Sequence, residues 1–371
     1  MNKVKLGEIL KIKHGFAFKS ENYVDESEYA LVTLANISST NNFQFNKDKT
    51  TFYDAPFPDD FILKEDDLIM PLTEQVVGLF GNTAFVPKMQ GITFVLNQRV
   101  GKVVPVDGKA DKYYLHYLLA TNLVKDQLEY RASGTRQRNI SPDDVYDVEV
   151  FLPDIVTQRK IGKCLYDIEK KVNLNNAIND NLAAMAYDIY MHSFFSKKPN
   201  AKLKDILIEA DKSSVQVGEA KQSTGEYPFF TSGSAILKWD TPFIDGRNCF
   251  LNTGGNADVK FYVGAAAYST DTWCISANNN MSDYLYLLLV SIKPELNQKF
   301  FQGTGLKHLQ KPLLKDRPIY IPDFEELKTF NEQVNPMLNI ISENTRENQE
   351  LITLRDWLLP MLMNGQATIS D

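Results

Sequence analysis

Leu152-Pro153-Asp154-Ile155-Val156-Thr157-Gln158-Arg159-Lys160-Ile161 opens a stretch, reaching to about Ser193, that the chain contains twice. A shift of 169 residues, from Pro153 to Pro322, lays Ile321-Pro322-Asp323 on its start. Ile161, Leu165, Ile168, Val172, Leu182 and Ile189 then fall on Phe330, Val334, Met337, Ile341, Leu351 and Leu358. Steps of three and four are heptad steps, so each copy reads as a long helix with a narrow apolar seam. The seam carries Asn175 and Asn179 in the first copy, Asn344 and Asn348 in the second. Two seams interrupted in the same register read as two halves of one stalk.

An approximate two-fold axis between equivalent halves makes the two helices antiparallel. If Asn175 faces Asn348, Asn179 faces Asn344, and the same register sets Val172 against Leu351, Leu182 against Ile341, Ala186 against Met337 and Ile189 against Val334. A buried asparagine pairs well only with another polar group and penalises slipped registers. The alternative is four solvated amides. A helix of roughly 40 residues spans about 60 Å at 1.5 Å per residue. Asp154 is placed to cap the first helix, Pro336 to kink or restart the second near Asn335, and Pro360 and Gly365 to end it before a loose tail.

Outward from the helices, the chain divides into a globule over residues 1–153, the first spacer helix over 154–196, a second globule over 197–321 and the second helix with its tail over 322–371. Lys5-Leu6-Gly7-Glu8-Ile9 is echoed by Lys202-Leu203-Lys204-Asp205-Ile206, and Tyr114-Leu115-His116-Tyr117-Leu118-Leu119 by Tyr284-Leu285-Tyr286-Leu287-Leu288-Leu289. Gly134-Thr135-Arg136-Gln137-Arg138-Asn139-Ile140 is matched by Gly303-Thr304-Gly305-Leu306-Lys307-His308-Leu309, giving G-T-x-x-[RK]-x-[IL]. Extended segments are expected at 29–34, 67–70, 91–96 and 99–104, and a helix over 111–130. The fold class is α+β: two similar mixed globules with a pseudo-two-fold internal repeat, and two long helices forming an antiparallel coiled-coil stalk.

At 371 residues the chain has room for two or three cores. No apolar run approaches the roughly 20 residues that span a bilayer, and Met1-Asn2-Lys3-Val4-Lys5 opens no signal peptide, so a cytoplasmic protein without a membrane partner is expected. Cys164, Cys249 and Cys274 lack the spacing of a zinc site or disulfide framework. The net charge of −7 argues against a chain basic throughout, but local patches rather than net charge meet phosphate.

Catalytic signatures are missing. There is no [DNS]-P-P-[YFW] tetrapeptide of an amino-methyltransferase and no glycine-rich cofactor loop; Gly78-Leu79-Phe80-Gly81 and Gly303-Thr304-Gly305 lack the required spacing. His14, His116, His192 and His308 are too scattered for a metal cluster. Polar loops remain. Arg131, Thr135, Arg136, Arg138 and Asn139 cluster in the first globule, and Lys307, His308, Gln310 and Lys311 at the equivalent place in the second. Arginine and lysine grip phosphates or guanine, and asparagine or glutamine pairs with adenine. Solvated turns are the alternative for these, and for Ser232, Ser234 and Asn256 in two further polar turns.

Gly15-Phe16-Ala17-Phe18-Lys19-Ser20, Asn97-Gln98-Arg99-Val100-Gly101, Gly134-Thr135 ahead of Leu152-Pro153, and Gln158-Arg159-Lys160-Ile161 together resemble the DNA specificity subunit of type I restriction-modification systems. The resemblance covers nearly the whole chain. It implies that each globule is a target recognition domain reading one half of a split site in double-stranded DNA, with contacts including Lys19 and the loop residues named above. It also implies that the helices dock modification subunits, two in number, which carry S-adenosylmethionine, and that restriction and translocase subunits complete the assembly. This subunit itself then needs no cofactor, holds no metal and catalyses nothing. The second copy departs from the pattern, because no Gly-Phe-Ala-Phe follows Ile206 and Glu326-Leu327-Lys328 stands for Gln158-Arg159-Lys160. A protein-binding scaffold with a coiled-coil spacer, or an enzyme with an unrecognised site, are the competing readings.

Overall fold

Lys5 and Lys202, the first residues of the echoed pentapeptides, each open a single 3-10 turn closed by an acidic side chain: Lys5 N donates to Glu8 Oε1 (2.9 Å) and Lys202 N to Asp205 Oδ2 (2.8 Å). The structure, a computed structural model, describes residues 2–75, 77–134 and 137–369. They divide into two compact units, one of residues 1–169 with 353–371 and one of residues 170–352.

In the first unit the strand Asn2–Lys5 pairs antiparallel with Glu149–Leu152. A four-stranded antiparallel sheet follows in the order Leu10–His14, Val100–Pro105, Leu68–Pro71, Ala84–Phe85. The helix Lys112–Leu119 packs on it, capped by Asp111 Oδ1, which accepts from Tyr113 N and Tyr114 N at 3.0 Å. The single helix expected over 111–130 is two. Thr121 is extended (φ −68°, ψ 148°) and spends its hydroxyl on Leu118 O, so the second helix starts afresh at Asn122 and ends at Arg131. A smaller sheet, Tyr23–Val24, Phe52–Tyr53, Tyr29–Val32 and Thr93–Leu96, has its last two strands parallel. The main core holds Leu6, Leu68, Val103, Tyr114 and Leu115 together with Ile161 and Leu165 of the first long helix and Leu362 and Met363 of the second.

The second unit repeats this scheme. Ala201–Lys202 pairs with Pro318–Ile319, and the four-stranded sheet runs Leu207–Glu209, Thr272–Ala277, Arg247–Asn252, Val259–Val263, again all antiparallel. Helix Ser282–Ser291 takes the place of Lys112–Leu119. The smaller sheet, Ile236–Trp239, Tyr227–Phe230 and Ala267–Tyr268, again ends in a parallel pair. Ala186, Tyr190 and Phe194 of the first long helix and Phe330, Val334 and Leu338 of the second complete its core.

The long helices are Ile155–Phe194 and Phe324–Met363. Asp154 Oδ1 accepts from Val156 N (3.0 Å) and Thr157 N (2.9 Å) at the start of the first. These bonds, that to Thr157 N foremost, hold the Asp154 carboxyl below its ordinary pKa. The cap's stabilisation is therefore complete above the ordinary aspartate range and lost as pH falls through the depressed value. Asp154→Asn, which keeps an acceptor but no charge, is expected to flatten the acid limb of a Tm-against-pH curve, whereas Asp154→Ala lowers Tm at neutral pH as well. Gln158 is 1% exposed and clamps the helix to the preceding loop: its Oε1 accepts from Asp111 N (3.1 Å) and its Nε2 donates to Lys109 O (3.1 Å) and Pro153 O (2.9 Å). One turn on, Gly162 lets the helix Lys112–Leu119 approach closely, since a Cβ there would lie 2.4 Å from Tyr114 N.

Pro336 does not restart the second helix, which runs unbroken from Phe324 to Met363. Arg247 bridges this section to the sheet, donating to Asn339 Oδ1 (2.7 Å) and Asn335 O (3.4 Å). The helix ends at Met363, between Pro360 and Gly365 as expected, with Gly365 in left-handed backbone (φ +70°). The tail is tied down as far as it is described: Gln366 N and Ala367 N donate to Met361 O (2.8 and 3.1 Å), and Ala367 and Ile369 pack on the core of the first unit.

Within the second unit, where residues 170–194 run antiparallel to 324–352, Asn175 Nδ2 donates to Asn348 Oδ1 (2.9 Å) and Asn344 Nδ2 to Asn179 Oδ1 (2.8 Å). Asn175 is 1% and Asn348 8% exposed. Asn348 Nδ2 donates in turn to Asn176 Oδ1 (2.9 Å), and Asn175 Nδ2 also reaches Glu347 (2.7 Å), so the buried amides of the seam have partners.

Candidate nucleic-acid interface

The G-T-x-x-[RK]-x-[IL] segments build the same device in both units. Gly134 (φ +109°) and Gly303 (φ +150°) occupy left-handed backbone; a Cβ would lie 2.2 Å from Gln137 O in one and 2.5 Å from Leu306 O in the other. In the first unit Ser133 and Asn139 exchange both backbone bonds (3.0 and 2.8 Å), and Arg138-Asn139 pairs with Thr73-Glu74, which follows the central strand Leu68–Pro71. In the second, Phe301–Gln302 pairs with His308–Leu309. Leu309 N donates to Thr253 O (2.9 Å) and Gly255 N to Lys307 O (2.8 Å), joining the hairpin to the turn after the central strand Arg247–Asn252. In each unit the paired residues of the motif thus lie against the segment that leaves the strand Leu68–Pro71 or Arg247–Asn252.

The side chains differ in what they offer. Arg138 faces inward: its guanidinium pairs with Glu74 (3.1 Å) and with Glu129, and lies 5.7 Å from the centre of the Phe80 ring. Arg131 donates to Gln127 O (3.0 Å) and Asp147 O (3.3 Å) at its helix end, and Asn139 Oδ1 accepts from the Thr73 hydroxyl (2.9 Å). Thr135 and Arg136 lie outside the described residues. Lys19 is exposed, 3.8 Å from Glu21. It follows Gly15-Phe16-Ala17-Phe18, which does structural work: Gly15 abuts Asn97 O, Phe16 N donates to Leu96 O (2.9 Å), and Phe18 packs edge-on to Tyr53.

In the second unit Ser232 and Ser234 sit in the bend after Tyr227–Phe230, which Lys260 holds by donating to Thr231 O (2.7 Å) and Gly233 O. Asn252 ties the next turn, its Nδ2 donating to Gly254 O (2.6 Å) and Asn256 O (2.5 Å), while the Asn256 side chain is exposed. Lys307 and His308 are exposed; Gln310 Nε2 reaches back to His308 O (3.2 Å). Beside them opens a cleft of about 370 Å³ lined by Thr253, Asp271, Trp273 and Lys311.

One segment escaped the sequence reading. Ser38-Ser39-Thr40-Asn41-Asn42 follows the strand Tyr29–Val32, as Thr231–Ser234 follows Tyr227–Phe230. Ser38 Oγ accepts from Thr40 N (3.2 Å) and Asn42 N (2.9 Å), and Asn41 Oδ1 from Thr83 N (3.2 Å), which brings the loop beside the one leaving Glu74. A run of five small polar residues after a strand was the available signal. Among the described residues no cluster of histidine, cysteine and carboxylate side chains is arranged to hold a metal. Burial pushes the Cys274 thiol up to about 12 and the Cys249 thiol well above its ordinary range, so both are packed small side chains.

The family model described as type I restriction modification DNA specificity domain matches residues 1–184 and 197–352. The chain belongs to that specificity family. Among relatives, it is similar to the type I restriction enzyme MjaIX specificity subunit of Methanocaldococcus jannaschii, 19% identical over 318 residues that cover 74% of this chain and 73% of the relative. The MjaVIII specificity subunit of the same organism is 24% identical over 180 residues, 46% of this chain and 40% of that one. The crystal structure of a type I restriction-modification S subunit from M. genitalium shares the fold, with a TM-score of 0.66 at 15% identity, covering 100% of this chain and 96% of that one. The doubled α+β architecture is thus that of the specificity family. Among the described residues no helix is long and apolar enough to cross a membrane.

Proposed function

We propose that this chain is the non-catalytic DNA-recognition subunit of a type I restriction-modification complex, each globule reading one half of a bipartite, asymmetric site in double-stranded DNA. Residues 1–153 and 197–321 are the target recognition domains, and residues 154–196 and 322–371 the spacers. The helices set the half-site spacing and dock two modification subunits, which bring S-adenosylmethionine; restriction and translocase subunits join the full assembly. One observation carries this reading: a duplicated frame presents loops of different chemistry at the same two places, which suits one mounting for two reading surfaces. Lys19, Arg131, Thr135, Arg136 and Asn139 are the contact set of the first domain, joined by the loop 38–42. Ser232, Ser234, Asn256, Lys307, His308 and Gln310 are that of the second.

Fluorescence anisotropy of a labelled duplex with the chain and its modification subunits tests this. Log K should fall linearly with log salt, with a slope of about −0.9 per phosphate contact. A complex that assembles but shows no salt-dependent DNA binding would favour a protein-binding scaffold instead.

A further inference from the structure

Position five of the shared pattern is basic in both loops, Arg138 in the first and Lys307 in the second, and the two side chains have opposite surroundings. Arg138 sits between carboxylates from two other segments. Glu74 is 1% exposed, and its Oε2 already accepts from Leu79 N (2.9 Å) and Phe80 N (3.2 Å), fixing the loop that leaves the central strand. Its Oε1 lies 3.1 Å from Arg138 Nη2. Glu129, from the helix Asn122–Arg131, takes the same nitrogen. A guanidinium whose charge is balanced by two carboxylates, one of them buried, has little to offer a phosphate. Removing it would leave Glu74 buried and uncompensated, which is costly in itself. The second loop has no such strut. There Asn252 ties the turn with neutral hydrogen bonds, its Nδ2 to two carbonyls and its Oδ1 accepting from Asp258 N (2.7 Å). Lys307 is exposed, and among the described residues no carboxylate pairs with it.

We infer that the shared basic position has split roles. Arg138 is a positioning residue that locks the pair Arg138-Asn139 to Glu74 and, through it, to Leu79 and Phe80, and touches no nucleic acid, whereas Lys307 contacts the DNA phosphate backbone. The inference rests on the proposed DNA-reading function, and it assigns to Arg138 a role other than the direct contact its residue type suggests.

The test uses the full chain with its modification subunits, in the wild-type form and as Arg138→Gln, Glu74→Gln and Lys307→Gln. DNA affinity is measured over a salt series against a cognate duplex and against duplexes with one base pair changed in either half. Lys307→Gln should weaken binding to all duplexes alike and reduce the salt slope by about one. Arg138→Gln should leave the slope unchanged while the preference against changed base pairs, ordinarily about 5- to 150-fold each, falls toward one in the half read by the first domain only. Glu74→Gln should reproduce that one-sided loss, and because it keeps the acceptor for Leu79 and Phe80 it carries the test if Arg138→Gln fails to fold. Amide exchange at Leu79 and Phe80 should quicken in Arg138→Gln and not in Lys307→Gln. A slope reduced by Arg138→Gln as much as by Lys307→Gln, discrimination left intact by Glu74→Gln, or a slope unmoved by Lys307→Gln overturns the inference. Absence of salt-dependent binding by the wild-type complex instead overturns the function it rests on.

Discussion

Asp283→Ala is expected to destabilise the second unit by about 3–5 kcal/mol, the usual consequence of removing one partner from a buried ion pair. Asp283 is 1% exposed at the start of helix Ser282–Ser291, and both its oxygens accept from Arg247, from Nε at 2.6 Å and Nη2 at 2.5 Å. Arg247 opens the central strand and reaches Asn339 on the second long helix, so this one guanidinium joins sheet, short helix and long helix. Burial raises the Asp283 pKa, and only Arg247 opposes that rise. The pair therefore contributes orientation more than net stability. Two results should follow in denaturant unfolding of the full chain: Asp283→Ala unfolds at much lower denaturant, and Arg247→Met with Asp283→Leu recovers most of the loss, because a well-packed apolar pair replaces a buried ionic one at little cost. A loss below about 1 kcal/mol for Asp283→Ala, the range of an exposed ion pair, would contradict this account of the site.

The second large effect lies in the helix seam. Asn175→Leu deprives Asn348 Oδ1 of its donor inside a buried contact and should cost about 1–3 kcal/mol. The double variant Asn175→Leu, Asn348→Leu removes both polar groups and should be more stable than either single variant, with a coupling of about 0.5–3 kcal/mol in a double-mutant cycle. What the double variant loses is register. With the polar pair gone, neighbouring alignments of the seam are penalised less. Spin labels at the exposed positions Asn173 and Glu350 should report a single narrow distance in the wild type and a broadened distribution in the double variant. Additive single effects and an unchanged distribution would mean that these asparagines do not specify the alignment.

How much could be read in the sequence depended on how local the signal was. The heptad steps from Ile161 to Ile189 marked a helix because each apolar side chain must meet the same face, and the structure has that helix at Ile155–Phe194. The proline rule allowed a restart at Pro336 that the unbroken helix Phe324–Met363 does not show, while Pro360 and Gly365 do bracket its end at Met363. The break at Thr121 turned on a single hydroxyl choosing Leu118 O, which periodicity does not register. The parallel pair of Tyr29–Val32 with Thr93–Leu96, repeated as Tyr227–Phe230 with Ala267–Tyr268, left no sequence echo, because buried strands require apolar side chains but not particular ones.

The candidate interface was legible as segments rather than as side-chain roles. Gly134 and Gly303 were visible because left-handed backbone favours glycine, and the hairpins are where the repeated motif lies. In the sequence Arg138 is a candidate DNA contact, with a solvated turn as the alternative, because its partner Glu74 is distant in sequence and nothing local marks a carboxylate 1% exposed. The Asn175–Asn348 and Asn179–Asn344 contacts were accessible to simple arithmetic, since antiparallel pairing keeps the sum of facing residue numbers constant and matching the asparagines selects its value.

The most direct measurement is the genomic methylation motif of cells that express this chain with its modification subunits, compared with cells in which residues 201–321 have been exchanged for the second recognition domain of another family member. The account predicts a motif in two specified parts separated by a fixed unspecified gap, with the exchange altering one part and leaving the other part and the gap intact. A motif without two parts, or an exchange that changes both parts or neither, would contradict it.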